Sequence, residues 1–185
     1  MVLSDICIET DRLILRVPQI EDFDRYAQML ADEAATRYIG GSAPRAAAWR
    51  RFLQMPGAWL LQGFGMFSVL EKASGLWMGQ IGPWKPDGWP GNEIGYAFHP
   101  DAWGQGYALE AGVASIDWAF EHLGWDSIVH CIAPANAASI ALAQRFGSRH
   151  IGPAQMPAPY QDSPTEMWGQ SRSEWLARSN LRRDG

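Results

Sequence analysis

The sequence predicts an α/β fold (α+β mixed): one mixed sheet with helices on both faces. Stretches of strand and helix periodicity follow one another in the order β-α-α-β-β-β-α-β-α-β-β, with a short terminal helix beyond. A length of 185 residues suits a single domain. Hydrophobic residues at 47% against charged residues at 19% supply an ordinary core and exclude an intrinsically disordered chain. One domain spanning residues 1–185 is therefore expected.

Cys7–Arg16 predicts a strand, with Leu13 and Leu15 on one face, and Pro18 ends it. Glu21–Ala31 places Phe23, Tyr26, Ala27 and Leu30 on one helical stripe. A second helix is predicted from Pro44 to Gln54, stopped by Pro56-Gly57. Phe64–Leu70 and Leu76–Ile81 flank a glycine-ended hairpin loop. A loop rich in Trp, Gly and Pro, Gly82–Gly91, then leads into the strand Glu93–Phe98, where Gly95 suggests a bulge or a close approach. Gln105–Leu123 carries the strongest helical period, and Gly124 suits its left-handed end. Ser127–Ile132 suits a central strand, and Asn136 caps a helix to Phe146. Ser148–Ile151 and Thr165–Gln170 read as strands, and Ser173–Arg178 as a helix.

Composition excludes several function classes. Twenty acidic against fifteen basic residues give a net charge of −5, which argues against nucleic acid as a partner. Two cysteines, Cys7 and Cys131, are too few for a disulfide framework. MVLSDICIETDR lacks the basic and apolar regions of a signal peptide, and no apolar run reaches a membrane-spanning length. A cytoplasmic protein with no membrane partner is the expectation.

The chemistry concentrates in EIGYAFHPDAWGQGYALEA, residues 93–111. A strand runs through a short turn into a glycine-punctuated helix start, where unpaired N–H groups and the helix dipole favour a phosphate or diphosphate. An ordinary glycine turn is the bland alternative. A P-loop is excluded, because no Gly-Lys-Ser/Thr triplet exists. A dinucleotide loop fits Gly104 and Gly106 but meets Leu109 at its third glycine.

Trp103-Gly104-Gln105-Gly106-Tyr107-Ala108 resembles the acetyl-CoA loop Gln/Arg-x-x-Gly-x-Gly/Ala of the GNAT superfamily of N-acetyltransferases, with Trp103 departing at the first position. Asn136-Ala137-Ala138-Ser139, closing at Arg145-Phe146-Gly147, resembles a second block of the branch that acetylates ribosomal-protein N-termini, with Ser148 departing where Phe is usual. TDRLILR and SRSEW resemble that branch's two ends. The resemblance implies a single GNAT-type domain with a mostly antiparallel sheet and a central, splayed parallel strand pair. It also implies acetyl-CoA as donor and an amine as acceptor, and it is compatible with a homodimer.

By position, the resemblance implies that the pantetheine arm pairs with the backbone of Tyr96, Ala97 and Phe98. The diphosphate then lies at Gly104 and on the N–H groups of Gln105, Gly106, Tyr107 and Ala108. Asn136 faces the pantetheine, Ser139 the sulfur, and no metal is involved. A backbone N–H at a bulge near Tyr96–Phe98 would hold the oxyanion. The family's usual acid, a Tyr in the helix after the Asn, falls on Ala143, which has no proton to give. Ser139 is the expected substitute, with Tyr160 as the outsider.

For the base, Glu93 at the start of the cofactor strand is the candidate, against a plain surface carboxylate. His99 is the second, against a turn-stabilising role before Pro100. Trp84 and Trp89 either wall the acceptor site or cover the sheet. Met156–Glu166, with Tyr160, Asp162 and Glu166, is the other candidate wall. A protein α-amine costs about 1–1.4 kcal/mol to deprotonate at pH 7, a lysine about 4.6 kcal/mol, so a site without a strong base leans toward low-pKa amines. The alternatives are a non-catalytic acyl-CoA-binding module and a dinucleotide-binding oxidoreductase.

Overall fold

A computed structural model of the chain describes residues 6–183, with side chains as far as Arg178. Met1–Asp5, part of the segment weighed as a signal peptide, lie outside the described residues. The chain opens with a hairpin, β1 (Cys7–Glu9) and β2 (Leu13–Arg16), where one strand was expected. Thr10 makes the turn: its N–H donates to the Leu13 carbonyl (3.0 Å), and its hydroxyl accepts from the Leu13 N–H (3.1 Å).

Helix α1 (Phe23–Ala31) buries Phe23, Tyr26, Ala27, Met29 and Leu30. A short α2 (Glu33–Thr36), which the sequence did not signal, is capped by the Asp32 carboxylate on the Ala35 N–H (2.8 Å). Helix α3 (Arg45–Phe52) follows Pro44 as expected. Pro56-Gly57 does not stop the chain there, because both lie near the start of a further helix, α4 (Gln54–Gln62). In a first turn the missing proline N–H has no intrahelical partner to lose.

Strand β3 (Phe67–Glu71) starts later than predicted, since Phe64 packs edge-on against Trp125. Strand β4 (Trp77–Trp84) runs past Ile81, taking Trp84 out of the loop and opposite Glu93. Strand β5 (Glu93–Phe98) holds continuous register with β4, which removes the bulge reading of Gly95 and leaves a close approach, made by a side chain. Gly95 makes room for Met66, whose Cε would lie 2.4 Å from an added Cβ. Helix α5 (Tyr107–His122) begins after Gln105, because Gly104 and Gly106 both have left-handed φ. Strand β6 (Ser127–Ile132) and helix α6 (Ala137–Phe146) match expectation. Strands β7 (Arg149–Pro153) and β8 (Glu166–Ser171) lead to α7 (Arg172–Arg183), longer than predicted.

Among the described residues, eight strands form one sheet in the order β1-β2-β3-β4-β5-β6-β8-β7. All pairings are antiparallel except β5 with β6, which are parallel and meet at a single register pair, Glu93 with Val129. Helices cover both faces. On one, Tyr26 and Phe52 pack with Trp77 and Ala97. On the other, α5, α6 and α7 bring Ile116, Phe146 and Trp175 against Ile81 and Ile94. Among the described residues, no helix is long and apolar enough to cross a membrane.

The first face is tied down by a buried carboxylate. Asp22 accepts both guanidinium N–H groups of Arg16 (2.9 and 2.7 Å), the Gln19 N–H (2.9 Å) and the Ser68 hydroxyl (2.6 Å). Asp22→Ala would leave a largely buried Arg16 without its partner, so it is expected to cost about 3–5 kcal/mol in urea unfolding. A cost below about 1 kcal/mol would show that Arg16 finds water instead.

Candidate active site

Sheet periodicity sets the site. The Ile94 carbonyl accepts from His130 Nδ1 on β6 (2.9 Å), whereas the His99 N–H turns to the Met78 carbonyl on β4 (2.9 Å). With period 2, the Tyr96 and Phe98 backbone groups face the β6 side and those of Ala97 face β4. Past Ile94 the two strands have no register pair. Tyr96 therefore presents its backbone N–H and C=O, and Phe98 its N–H, to a gap, as an edge strand does. Ala97, grouped with them in the sequence reading, packs against the α1 cluster instead. The Phe98 carbonyl is taken by Trp103 Nε1 (3.1 Å), the residue that departs from the loop motif.

Beyond β5 the chain enters α5 through Gly104 (φ +72) and Gly106 (φ +79), conformations that a side chain strains. Among the described residues, the N–H groups of Gly106, Tyr107 and Ala108 have no hydrogen-bond acceptor, and that of Gln105 makes a long bond to the Ala102 carbonyl (3.4 Å). These donors sit at the positive end of a sixteen-residue helix, a ready anion site. A clamp holds the loop. Arg12 donates to Glu110 (2.7 Å) and to the Gln105 carbonyl (2.9 Å), and Glu110 also accepts from the Thr10 hydroxyl (2.6 Å).

A cleft of about 600 Å³ opens where β5 and β6 part. One of its walls comes from the Trp loop and the β7–β8 connection, whose Trp89 and Tyr160 rings meet edge to face at 6.1 Å. Trp84, Asp162 and Tyr38 also line it, and the Tyr38 hydroxyl reaches across to the Ala135 carbonyl (3.0 Å). Glu93 stands in this cleft. It accepts from Trp89 Nε1 (2.5 Å) and from the Cys131 N–H (3.1 Å). Burial pushes its carboxyl up to about 7, against the pull of those two donors. Burial and the adjacent Glu93 push the Cys131 thiol up as well, which keeps it a thiol.

Opposite Glu93, across the sheet, Tyr96 donates its hydroxyl to the Ser139 carbonyl (3.1 Å). Asn136 caps α6, its side-chain oxygen accepting from the Ser139 N–H (3.2 Å). Both residues line the cleft. His130 is buried between Tyr96 and Phe146, with burial holding its pKa down at about 4. A carbonyl only accepts, so Nδ1 carries the proton, and Nε2 has no partner among the described residues.

This arrangement, a splayed parallel pair leading to an anion loop, joins a matching family model. The model for an acetyltransferase (GNAT) domain matches residues 12–149. The chain belongs to the GNAT acetyltransferase family. The uncharacterized N-acetyltransferase p20 of Bacillus licheniformis is 32% identical over 146 residues, 77% of this chain and 82% of that protein. The uncharacterized protein YkkB of Bacillus subtilis (strain 168) is 33% identical over 90 residues, spanning 48% of this chain and only 52% of its own length. The crystal structure of an acetyltransferase from Agrobacterium tumefaciens str. C58 superposes with a TM-score of 0.80 at 29% identity, covering 93% of this chain and 98% of that one. An aminoglycoside acetyltransferase, AAC(6')-Ib, solved with coenzyme A, shares the fold at a TM-score of 0.71 and 16% identity, over 89% of this chain and 98% of that one. This GNAT chain is an acetyl-CoA-dependent acetyltransferase, and the oxidoreductase alternative falls away.

For this GNAT chain the structure brings Glu93, Tyr96, Asn136 and Ser139 to one cleft, while Ala97, Phe98 and Gly104–Ala108 do not line it and the loop is tied to the end of β5 through Trp103. It leaves others outside. His99 caps the turn into Pro100 through Nδ1 and the Asp101 N–H (3.2 Å), and burial and Arg25 lower its pKa, so the turn-stabilising reading holds. Glu166 pairs with His150 (2.7 Å) and is not part of the wall. Sequence reasoning missed His130 and Arg12. A histidine inside the apolar run SIVHCI was the available signal for the first; the second needs its partner Glu110, far along the chain.

Proposed function

We propose that this chain acetylates a primary amine of low pKa, such as a protein N-terminal α-amine or a comparable small-molecule amine, by direct attack on the acetyl thioester. The observation that carries this reading is the buried Glu93 carboxyl, with a pKa of about 7, in an aromatic-lined cleft. A base of that pKa accepts a proton from an α-ammonium (about 7.7–8.0) at a cost of about 1–1.4 kcal/mol. From a lysine ammonium (about 10.4) the same transfer costs about 4.6 kcal/mol. Trp84, Trp89 and Tyr160 offer ring faces to an incoming cation, and Asp162 a carboxylate.

Acetyl-CoA supplies the acyl group. On this reading Tyr96 and Phe98 offer the backbone edge for its arm, and Gly106–Ala108 the donors for its diphosphate. Asn136 and Ser139 face the thioester end. The Tyr96 N–H is the candidate oxyanion donor, supplied by the gap between strands and not by a bulge.

The test has two arms. Acetyl-CoA at about 100 times its dissociation constant should raise stability by about 2.7 kcal/mol, and NADH should not. A thiol-release assay at pH 7 should then show turnover of peptides with free α-amines at least about 10-fold above N-terminally blocked peptides carrying one lysine. Equal turnover of both would remove the low-pKa assignment, and no turnover on either peptide or on small-molecule amines would remove direct transfer to amines.

A further inference from the structure

The reaction needs two proton movements on opposite sides of the acetyl carbon. The attacking amine sheds a proton on one side, and the departing sulfur gains one on the other. Strand β5 offers two faces for these tasks, because residues an odd number apart point to opposite sides of a sheet. Glu93 shares its face with Ala97, which packs on the α1 cluster, and its partners are Trp89 and Cys131. Tyr96 shares the other face with Ile94, beside α6, and its partners are Ser139, His130 and Phe146. Both line the same cleft.

We propose that Tyr96 is the general acid that protonates the leaving sulfur. This rests on the acetyl-transfer reading above and names the residue that completes it. The other groups on this face serve poorly. His130 holds its one proton at Nδ1 on the Ile94 carbonyl (2.9 Å), where a ring N–H cannot rotate away as the Tyr96 hydroxyl hydrogen can, and its Nε2 has no proton to give. The Asn136 amide is no acid, and an aliphatic hydroxyl such as that of Ser139 is a far weaker one than a phenol. Cys131 and its thiol lie on the Glu93 side.

Position supports the assignment independently. The Tyr96 hydroxyl meets α6 at Ser139 (3.1 Å). Ser139 lies one turn before Ala143 on the same side of that helix, and helix side chains lean toward the N-terminus. A side chain from position 143 would therefore cover the spot that the Tyr96 hydroxyl occupies. Ala143 is fully buried and stops at its methyl group, so the strand supplies what the helix lacks.

The balance is complete. The amine nitrogen bonds to the acetyl carbon and gives a proton to Glu93, directly or through water. The carbon–sulfur bond breaks, its electron pair stays on sulfur, and sulfur takes the Tyr96 proton. Solvent then returns a proton to the phenolate and removes one from Glu93. The products are the N-acetylated amine and coenzyme A as its thiol. Burial pushes the Tyr96 phenol well up, which keeps it protonated between turnovers; the same burial would disfavour a free thiolate, so the sulfur would leave as it takes the proton.

Tyr96→Phe keeps the ring against Phe146 and His130, and the Ser139 carbonyl retains its place in the helical ladder. The variant should therefore fold, with an unchanged acetyl-CoA dissociation constant. Its kcat should fall about 100-fold while the KM for acetyl-CoA stays within about 2-fold. Replacing Tyr96 by 3-fluorotyrosine, which keeps the hydroxyl, should hold kcat within about 10-fold of the parent. Unchanged kcat in Tyr96→Phe, or a loss wholly in KM, would overturn the assignment and leave acetyl transfer standing. A parent chain that binds acetyl-CoA but releases no thiol with any amine would overturn the proposed function itself.

Discussion

Glu93→Gln is expected to lower kcat about 1,000-fold and to abolish the acidic limb of the pH profile. The parent's rate should rise with pH through about 7, where the buried carboxyl loses its proton and becomes able to accept one from the amine. A variant that keeps both the rate and the limb would show that another group, or bulk water, takes the proton. Stability should respond in the opposite sense. The folded pKa of about 7 lies above the unfolded value of about 4.3, so between them the native state holds a proton that the unfolded state has lost. Stability contributed by the neutral carboxyl is thus present below about pH 4 and declines as pH rises to 7. Glu93→Gln carries no such charge, so its stability relative to the parent should improve by about 3 kcal/mol between pH 4 and 8. Urea unfolding at those two pH values reads the difference.

The second large effect belongs to the anion loop. Gly106→Glu should weaken acetyl-CoA binding by more than about 100-fold in calorimetry. Position 106 holds φ +79, which costs an ordinary residue about 1–2 kcal/mol, and the new carboxylate would face the ligand's own negative charge. Gly106→Ala, which carries the strain without the charge, should lose about 10-fold. Unchanged affinity in Gly106→Glu would place the diphosphate elsewhere.

What the sequence disclosed follows from how local each signal is. The strand–loop–helix run from Glu93 to His122 and the Asn136 cap with its helix were legible because periodicity, glycine conformation and capping act within a few residues. The hairpin at Thr10 and the helix through Pro56 were not, since one depends on a single side chain closing a turn and the other on where a helix begins. Glu93 was legible as a candidate, but its buried state is made by Trp89 and Cys131, brought in from a loop and from another strand. The gap beside Tyr96 rests on how two strands distant in sequence diverge, and no local pattern records that. His130 shows the same limit: within its own run it is one polar residue, and its meaning comes from the Ile94 carbonyl opposite.

One register pair joins β1–β5 to β6, β7 and β8. The sheet is therefore two panels that meet at a seam, with backbone register pairing between them confined to its narrow end. On the proposed reading, a donor arm laid along Tyr96 and Phe98 would act as a borrowed strand across the seam and make the loaded sheet more continuous than the empty one. Each turnover would then remove part of that brace. The acyl end would depart with the amine and the remaining thiol would leave, so the bridge across the seam would be rebuilt with each donor.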